Sequence, residues 1–158
     1  MTTPDELREV LRRMPTGVAV LTVEVRGQRI GLTVATLVSL SLEPPLVGVA
    51  ISRQAAIHQL LREAGTCAFS LLAADQQDVA EHFARGVPPI GMWKGVAARD
   101  GELGAPLLDG ALGWLECRLA DEVATGTHTF FVGEVVSAEL GEDGVPLVRL
   151  GGQLRAGS

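Results

Sequence analysis

A chain of 158 residues is long enough for one domain with a sizeable buried core, and 47% apolar with 20% charged residues is ordinary for a globular protein. A net charge of −6, from 19 acidic against 13 basic residues, repels a phosphate backbone and excludes nucleic acid as a partner. No stretch approaches the ~20 apolar residues that span a bilayer. The mixed-charge N-terminus also has no apolar signal core, so no membrane partner and a cytoplasmic location are expected.

The first predicted element is a helix from Asp5 to Met14, with Leu7, Val10, Leu11 and Met14 on one face. Thr3 and Glu6 form a capping box, Pro4 suits the first helical position, and Pro15 with Gly17 stops the element. Val18–Val25 is rich in β-branched residues, and Gly27 turns it back into Gln28–Val34, a hairpin pattern. Between residues 33 and 46 the hydroxyls of Thr33, Thr36, Ser39 and Ser41 alternate with aliphatic residues before a Pro44-Pro45 corner. Such a run is either an ordinary half-buried strand or a surface that offers amides and short hydroxyls to a planar polar ligand.

Leu46–Ile51 is a short apolar run that reads as a strand buried on both faces. Ala55–Ala64 places Ile57, Leu60 and Leu61 on one side of a helix that Gly65 ends, and Thr66–Leu72 is the next strand. Asp75 is the expected cap of a helix running through Phe83, with Gly86 as its stop. From Gly86 to Gly110, glycines and prolines break every period, which predicts an irregular loop over a site or subunit contact. Two long strands follow, Ala111–Glu122 and Thr129–Leu140, joined near Thr125-Gly126, and a turn at 141–144 leads into Pro146–Leu150. Hairpin-like strands with helices clustered early predict one domain over residues 1–158, a barrel with peripheral helices.

Cys67 and Cys117 lack metal or redox spacing and sit in strand-like surroundings, so two buried free thiols are expected. Neither the Rossmann glycine fingerprint nor the phosphate loop of nucleotidases is present. His58, His82 and His128 have no metal-ligand spacing, and no metal is expected. His58 and His82 fall on helices as packing or surface residues. His128 opens a strand beside a glycine turn, where rigid backbone would aim an imidazole at a ligand or leave it at a hairpin mouth.

Three pieces together carry a resemblance: Leu11-Arg12-Arg13-Met14-Pro15-Thr16-Gly17-Val18, the hydroxyl-bearing Thr33–Leu46, and Gly126-Thr127-His128 with the strand after it. Gly104-Ala105-Pro106-Leu107-Leu108-Asp109 and Trp114-Leu115-Glu116-Cys117 add to them. In order and spacing the chain resembles the flavin reductase-like, FMN-binding split-barrel family, the small reductase components of two-component flavin monooxygenases. The resemblance implies a mainly β fold, a six-stranded antiparallel Greek-key split barrel, as a homodimer. It implies NAD(P)H-dependent reduction of FMN or FAD and a flavin-dependent monooxygenase as acceptor of the reduced flavin. By position, Thr33, Val34, Ala35, Thr36 and Ser39 would line the flavin ring and ribityl chain, and Ser52, Arg53 and Gln54 would lie towards its phosphate. Pro15, Thr16, Gly126 and His128 would face the nicotinamide, with His128 as the residue nearest the chemistry. Gln54-Ala55-Ala56-Ile57 stands where the family tends to carry Ser-Ser-x-Thr. That departure sustains two other readings: a non-redox biosynthetic enzyme such as a cyclase, or a non-catalytic dimer that binds a flavin or similar heterocycle.

Overall fold

The computed structural model describes residues 1–84 and 89–158. In chain order the elements are α1 (Pro4–Leu11), β1 (Thr16–Gly17), β2 (Ala19–Val25), β3 (Gln28–Val34), β4 (Val38–Leu42), β5 (Pro45–Ser52), α2 (Ala56–Ala64) and β6 (Thr66–Leu71). A 3-10 turn at Ala74–Gln76 leads into α3 (Gln77–Ala84), followed by α4 (Pro89–Met92), β7 (Ala98–Asp100) and β8 (Pro106–Leu108). The chain ends with β9 (Gly113–Thr125), β10 (His128–Leu140), β11 (Leu147–Leu150) and β12 (Gln153–Ala156).

Seven strands form one antiparallel sheet in the order β3-β2-β6-β9-β10-β5-β4. Its two edge strands, β3 and β4, are joined by residues 35–37 alone. A flat sheet would hold those edges about 29 Å apart at ~4.8 Å per strand, whereas so short a link reaches only about 14 Å. The sheet is therefore rolled, with its two edges brought together. The Thr36 hydroxyl ties the link to β5 in continuation of the β4–β5 pairing, donating to the Ala50 carbonyl (2.9 Å) and accepting from the Ala50 N–H (3.2 Å). The fold is mainly β, a split barrel, as the residue pattern and the family resemblance predict.

Inside the roll lie Leu21 and Val23 of β2, Ile51 of β5, Phe69 of β6 and Phe131 of β10, while Val20 packs on the opposite face towards α3. The α2 helix caps this core with Ile57 and Leu61 and packs against β2. Gly65 ends it in the left-handed region (φ 68°), where a residue without Cβ is unstrained. Ala80 and Phe83 of α3 seat against β3, and a Cβ on Gly31 would stand 2.7 Å from the Phe83 ring. The Gly31 N–H donates to the Met92 thioether (3.2 Å), which ties α4 to the same strand.

His58 is buried in this layer; its Nε2 shares a hydrogen bond with the Thr129 hydroxyl (2.8 Å), and its ring meets Phe131 edge-on. Cys67 and Cys117 are free, buried and directly opposite on β6 and β9. Hydrogen bonding to Cys117, then burial, raises the Cys67 pKa well above the ordinary range, so the thiol is the stable form there.

The structure departs from the sequence pattern at definable places. Regular helix stops at Leu11, and residues 12–14 form a tight turn in which Met14 donates to the Leu11 carbonyl. Pro15 accounts for this, because a residue before proline is pushed out of helical geometry. Asp75 does not cap α3; the Gln76 side chain instead closes the preceding turn by accepting from the Ala73 N–H (2.9 Å). Gly86, the expected helix stop, lies outside the described residues. Within the segment read as irregular, β7 and β8 pair as a hairpin. Buried Glu116 orders the hairpin's loop by accepting from the Leu103 N–H (2.9 Å).

Two measurements check this packing. Gly31→Ala is expected to destabilise the fold by about 1–3 kcal/mol through overpacking against Phe83, read as a lower urea midpoint with unchanged slope. For His58, burial, then the nearby Arg62 and Arg53 cations, lower the pKa, with Glu122 opposing them. The unfolded chain therefore binds the proton more readily than the folded one. Stability contributed by neutral His58 is complete above its ordinary value of about 6.5 and is lost as pH falls below it. His58→Gln should flatten that part of a urea-midpoint profile between pH 7.5 and 5.

Candidate functional site

Two cavities adjoin along the outside of the closure, between the β3–β4 link and the helices. One, about 600 Å³, lies between Val18 and Thr33 on one side and Gln77, Ala80 and Glu81 of α3 on the other. The second, about 690 Å³, runs under α1 past Leu7, Leu11 and Met14 to Thr16 and Thr36. Ala35, Arg149 and Gly152 line both, so they form one groove in two halves. Each half falls within the ~300–1,000 Å³ typical of small-molecule sites.

Groove hydroxyls that the sequence marks as ligand donors are occupied by the chain itself. Thr33 donates to the Ala80 carbonyl (2.7 Å), which holds α3 on β3, and Thr36 is bonded both ways to Ala50. The backbone is another matter. Among the described residues no acceptor meets the N–H groups of Ala35, Thr36 or Leu37. Three consecutive donors thus stand open in the link, where Ala35 lines both halves of the groove and Thr36 the second. A flat heterocycle with a polar edge suits this donor set, because carbonyl and ring-nitrogen acceptors can satisfy the amides while its faces meet Val18, Ala80 and Leu154.

The other expected residues divide into three places. Thr16 lines the second cavity, and Pro15 directly precedes it. The Val34 side chain is buried in the core, and Val34 lines neither half. Ser39 lies on β4, opposite Val47, and lines neither half. Ser52 and His128 are opposite one another at the paired ends of β5 and β10, just beyond Ala50. The Arg53 N–H donates to the Thr127 carbonyl (3.1 Å), and the Gln54 N–H to the Ser52 hydroxyl (3.3 Å). These bonds draw the turn before α2 against the Gly126-Thr127 hairpin. The Thr127 hydroxyl and the His128 Nδ1 share a hydrogen bond (2.9 Å) that sets the orientation of the half-buried imidazole.

None of the expected site residues lies on the far wall of the groove. Gln77 and Glu81 enter from α3, and Arg149, Gly152, Gln153 and Leu154 from the last hairpin, which pairs with β1 through Arg149 and Thr16. Only the Gly151-Gly152 turn signalled that hairpin. Among the described residues no group of three His, Cys, Asp or Glu side chains could hold a metal ion, and no helix is long and apolar enough to cross a membrane.

Comparison with known proteins agrees with this geometry. Residues 11–158 match the family described as flavin reductase like domain. The chain is 40% identical, over 91% of its length and 90% of the relative's, to the reductase component of 4-hydroxyphenylacetate 3-monooxygenase from Thermus thermophilus. A solved flavin reductase component of a bacterial two-component tryptophan halogenase superimposes with a TM-score of 0.88 at 37% identity, covering 98% of both chains. An NADH:FAD oxidoreductase of Streptomyces globisporus, solved with NAD and FAD fragments, superimposes with a TM-score of 0.91 at 36% identity, covering 98% of this chain and 94% of that one. A rolled sheet closed over open amides, with this match across nearly its whole length, places the chain in the flavin reductase-like family.

Proposed function

We propose that residues 1–158 act as one domain, an NAD(P)H-dependent flavin reductase that reduces FMN or FAD and passes the product to a flavin-dependent monooxygenase. The observation that carries this reading is the set of open amides in the link, where Ala35 lines both of two adjoining cavities and Thr36 the second, each cavity large enough for a planar ring. Relatives that reduce flavins with NADH, and the oxidoreductase solved with NAD and FAD fragments, support it.

When bound, the nicotinamide supplies a hydride and the flavin accepts it, so the protein's work is alignment and exclusion of water. The link amides hold the polar edge of the flavin. Val18, Ala80 and Leu154 keep water from its face. Ser52, Arg53 and Gln54 take the flavin phosphate at the turn before α2, and Arg53 has no carboxylate partner among the described residues. Pro15, Thr16 and Gly126 border the nicotinamide. His128, held through Nδ1 by Thr127, offers Nε2 to the nicotinamide carboxamide.

In this reading the protein is a homodimer in the cytoplasm. Free buried thiols match a reducing compartment. The apolar stripe of α1 and of the turn after it is bare: Val10 is 69% and Met14 56% exposed, and no residue of the helix is buried. On the edge strand β4, Val38, Leu40 and Leu42 are exposed as well. A second copy packed on these faces would cover them and complete the outer side of the groove.

Flavin-dependent oxidation of NADH or NADPH by the purified protein is the expected result. Tightly held yellow flavin without turnover would instead identify a binding protein, and neither flavin nor turnover would favour the non-redox enzyme. His128→Ala should lower kcat/KM for the nicotinamide cofactor by roughly ten- to a hundredfold. Val10→Glu should shift the sedimentation coefficient from dimer to monomer; a wild-type monomer would remove the dimer from this reading.

A further inference from the structure

His128 is gripped through both of its neighbours in the chain. The Thr127 carbonyl before it accepts from the Arg53 N–H (3.1 Å), and the Thr129 hydroxyl after it shares a hydrogen bond with the His58 Nε2 (2.8 Å). Arg53 stands in the turn before α2 and His58 in the first turn of that helix, so one short segment brackets the imidazole. A third bond, from the Thr125 hydroxyl to the His128 carbonyl (3.2 Å), fixes the backbone between the two grips.

The His58–Thr129 contact also sets a direction. Successive side chains of a strand leave on opposite faces. Thr129, 2% exposed, points inward to buried His58, so the half-buried His128 ring leaves on the outer face. A roll of β10 about its own axis breaks the inner bond and swings the outer ring together.

Holding α2 in place does not require that bond. Ile57 and Leu61 bury its apolar side, and Arg62 grips Glu122 of β9 through Nε and Nη2 (3.1 and 2.7 Å). An apolar side chain at position 58 would pack against Phe131 without desolvating an imidazole. What the buried polar pair adds is one address on β10, a single residue from His128.

We propose that His58 is a positioning residue for His128: through Thr129 it fixes the rotation of the start of β10, and with it the direction in which the His128 ring meets the nicotinamide. The identity of that ligand rests on the reductase reading. His58 lines neither half of the groove, so its effect on the reaction passes through His128.

The test uses the full chain with riboflavin as acceptor. His58→Phe and Thr129→Val each remove the bond, and Thr129→Ser keeps the hydroxyl. Each removal should lower kcat/KM for NADH about three- to tenfold with the KM for riboflavin unchanged, and Thr129→Ser should keep wild-type rates. In a His128→Ala background the same removals should cost nothing further, whereas loosened packing would cost as much there as in the wild-type chain. An equal loss in both backgrounds, or no loss in either, overturns the positioning role. The ring is also read directly: the balance of the two neutral His128 tautomers, from ring nitrogen NMR shifts, should move in His58→Phe and Thr129→Val and stay put in Thr129→Ser. Unmoved tautomers in the two removals overturn the bracket whatever the activity. Moved tautomers in a protein whose wild type shows no flavin-dependent NADH oxidation leave the bracket standing and overturn the reductase reading.

Discussion

Three residues connect the two edges of a seven-stranded sheet, and that short reach governs everything else in the molecule. It compels the sheet to roll, which creates an interior for Leu21, Ile51, Phe69 and Phe131 and an exterior groove beside the join. Thr36 anchors the link to β5 by matching both polar groups of Ala50 with a single hydroxyl. Having given its hydroxyl to β5, the link has only backbone amides left to present outward. The barrel and the candidate site are consequences of one connection.

Much of the barrel was legible because its strands obey simple rules. The β-branched run 18–25 and its return through Gly27 into 28–34, with the apolar run 46–51, correspond to β2, β3 and β5 within a residue or so. Ile57 and Leu61 with a terminal Gly65 gave α2 for the same reason: periodicity and a stop signal coincide. Edge elements were harder. β4, β7, β8 and β12 are short, exposed or rich in glycine and proline neighbours, so they carry little of the hydrophobic alternation that marks a strand. Their pairing is decided by what lies next to them in space.

The site was legible in outline and misread in detail. Thr33, Ala35, Thr36 and Thr16 do converge on the groove, yet residue type alone could not show that the two threonine hydroxyls on β3 and its link would be consumed internally. Composition was silent on Arg149 too, since an isolated arginine near a chain end looks like any solvated cation. Only the pairing of β11 with β1 brings it beside Thr16 and over the groove. Arg149 lies on this groove without a carboxylate partner among the described residues although the whole protein is negative, so net charge describes solubility and long-range repulsion better than it describes this surface.

Because the unsatisfied amides belong to the same three residues that shut the barrel, occupancy and integrity are thermodynamically linked. A guest gripping Ala35 to Leu37 is bound only while the edges stay together, so by mass action it resists their parting. Cofactor saturation would then act as a clasp on the seam where the sheet's two edges meet.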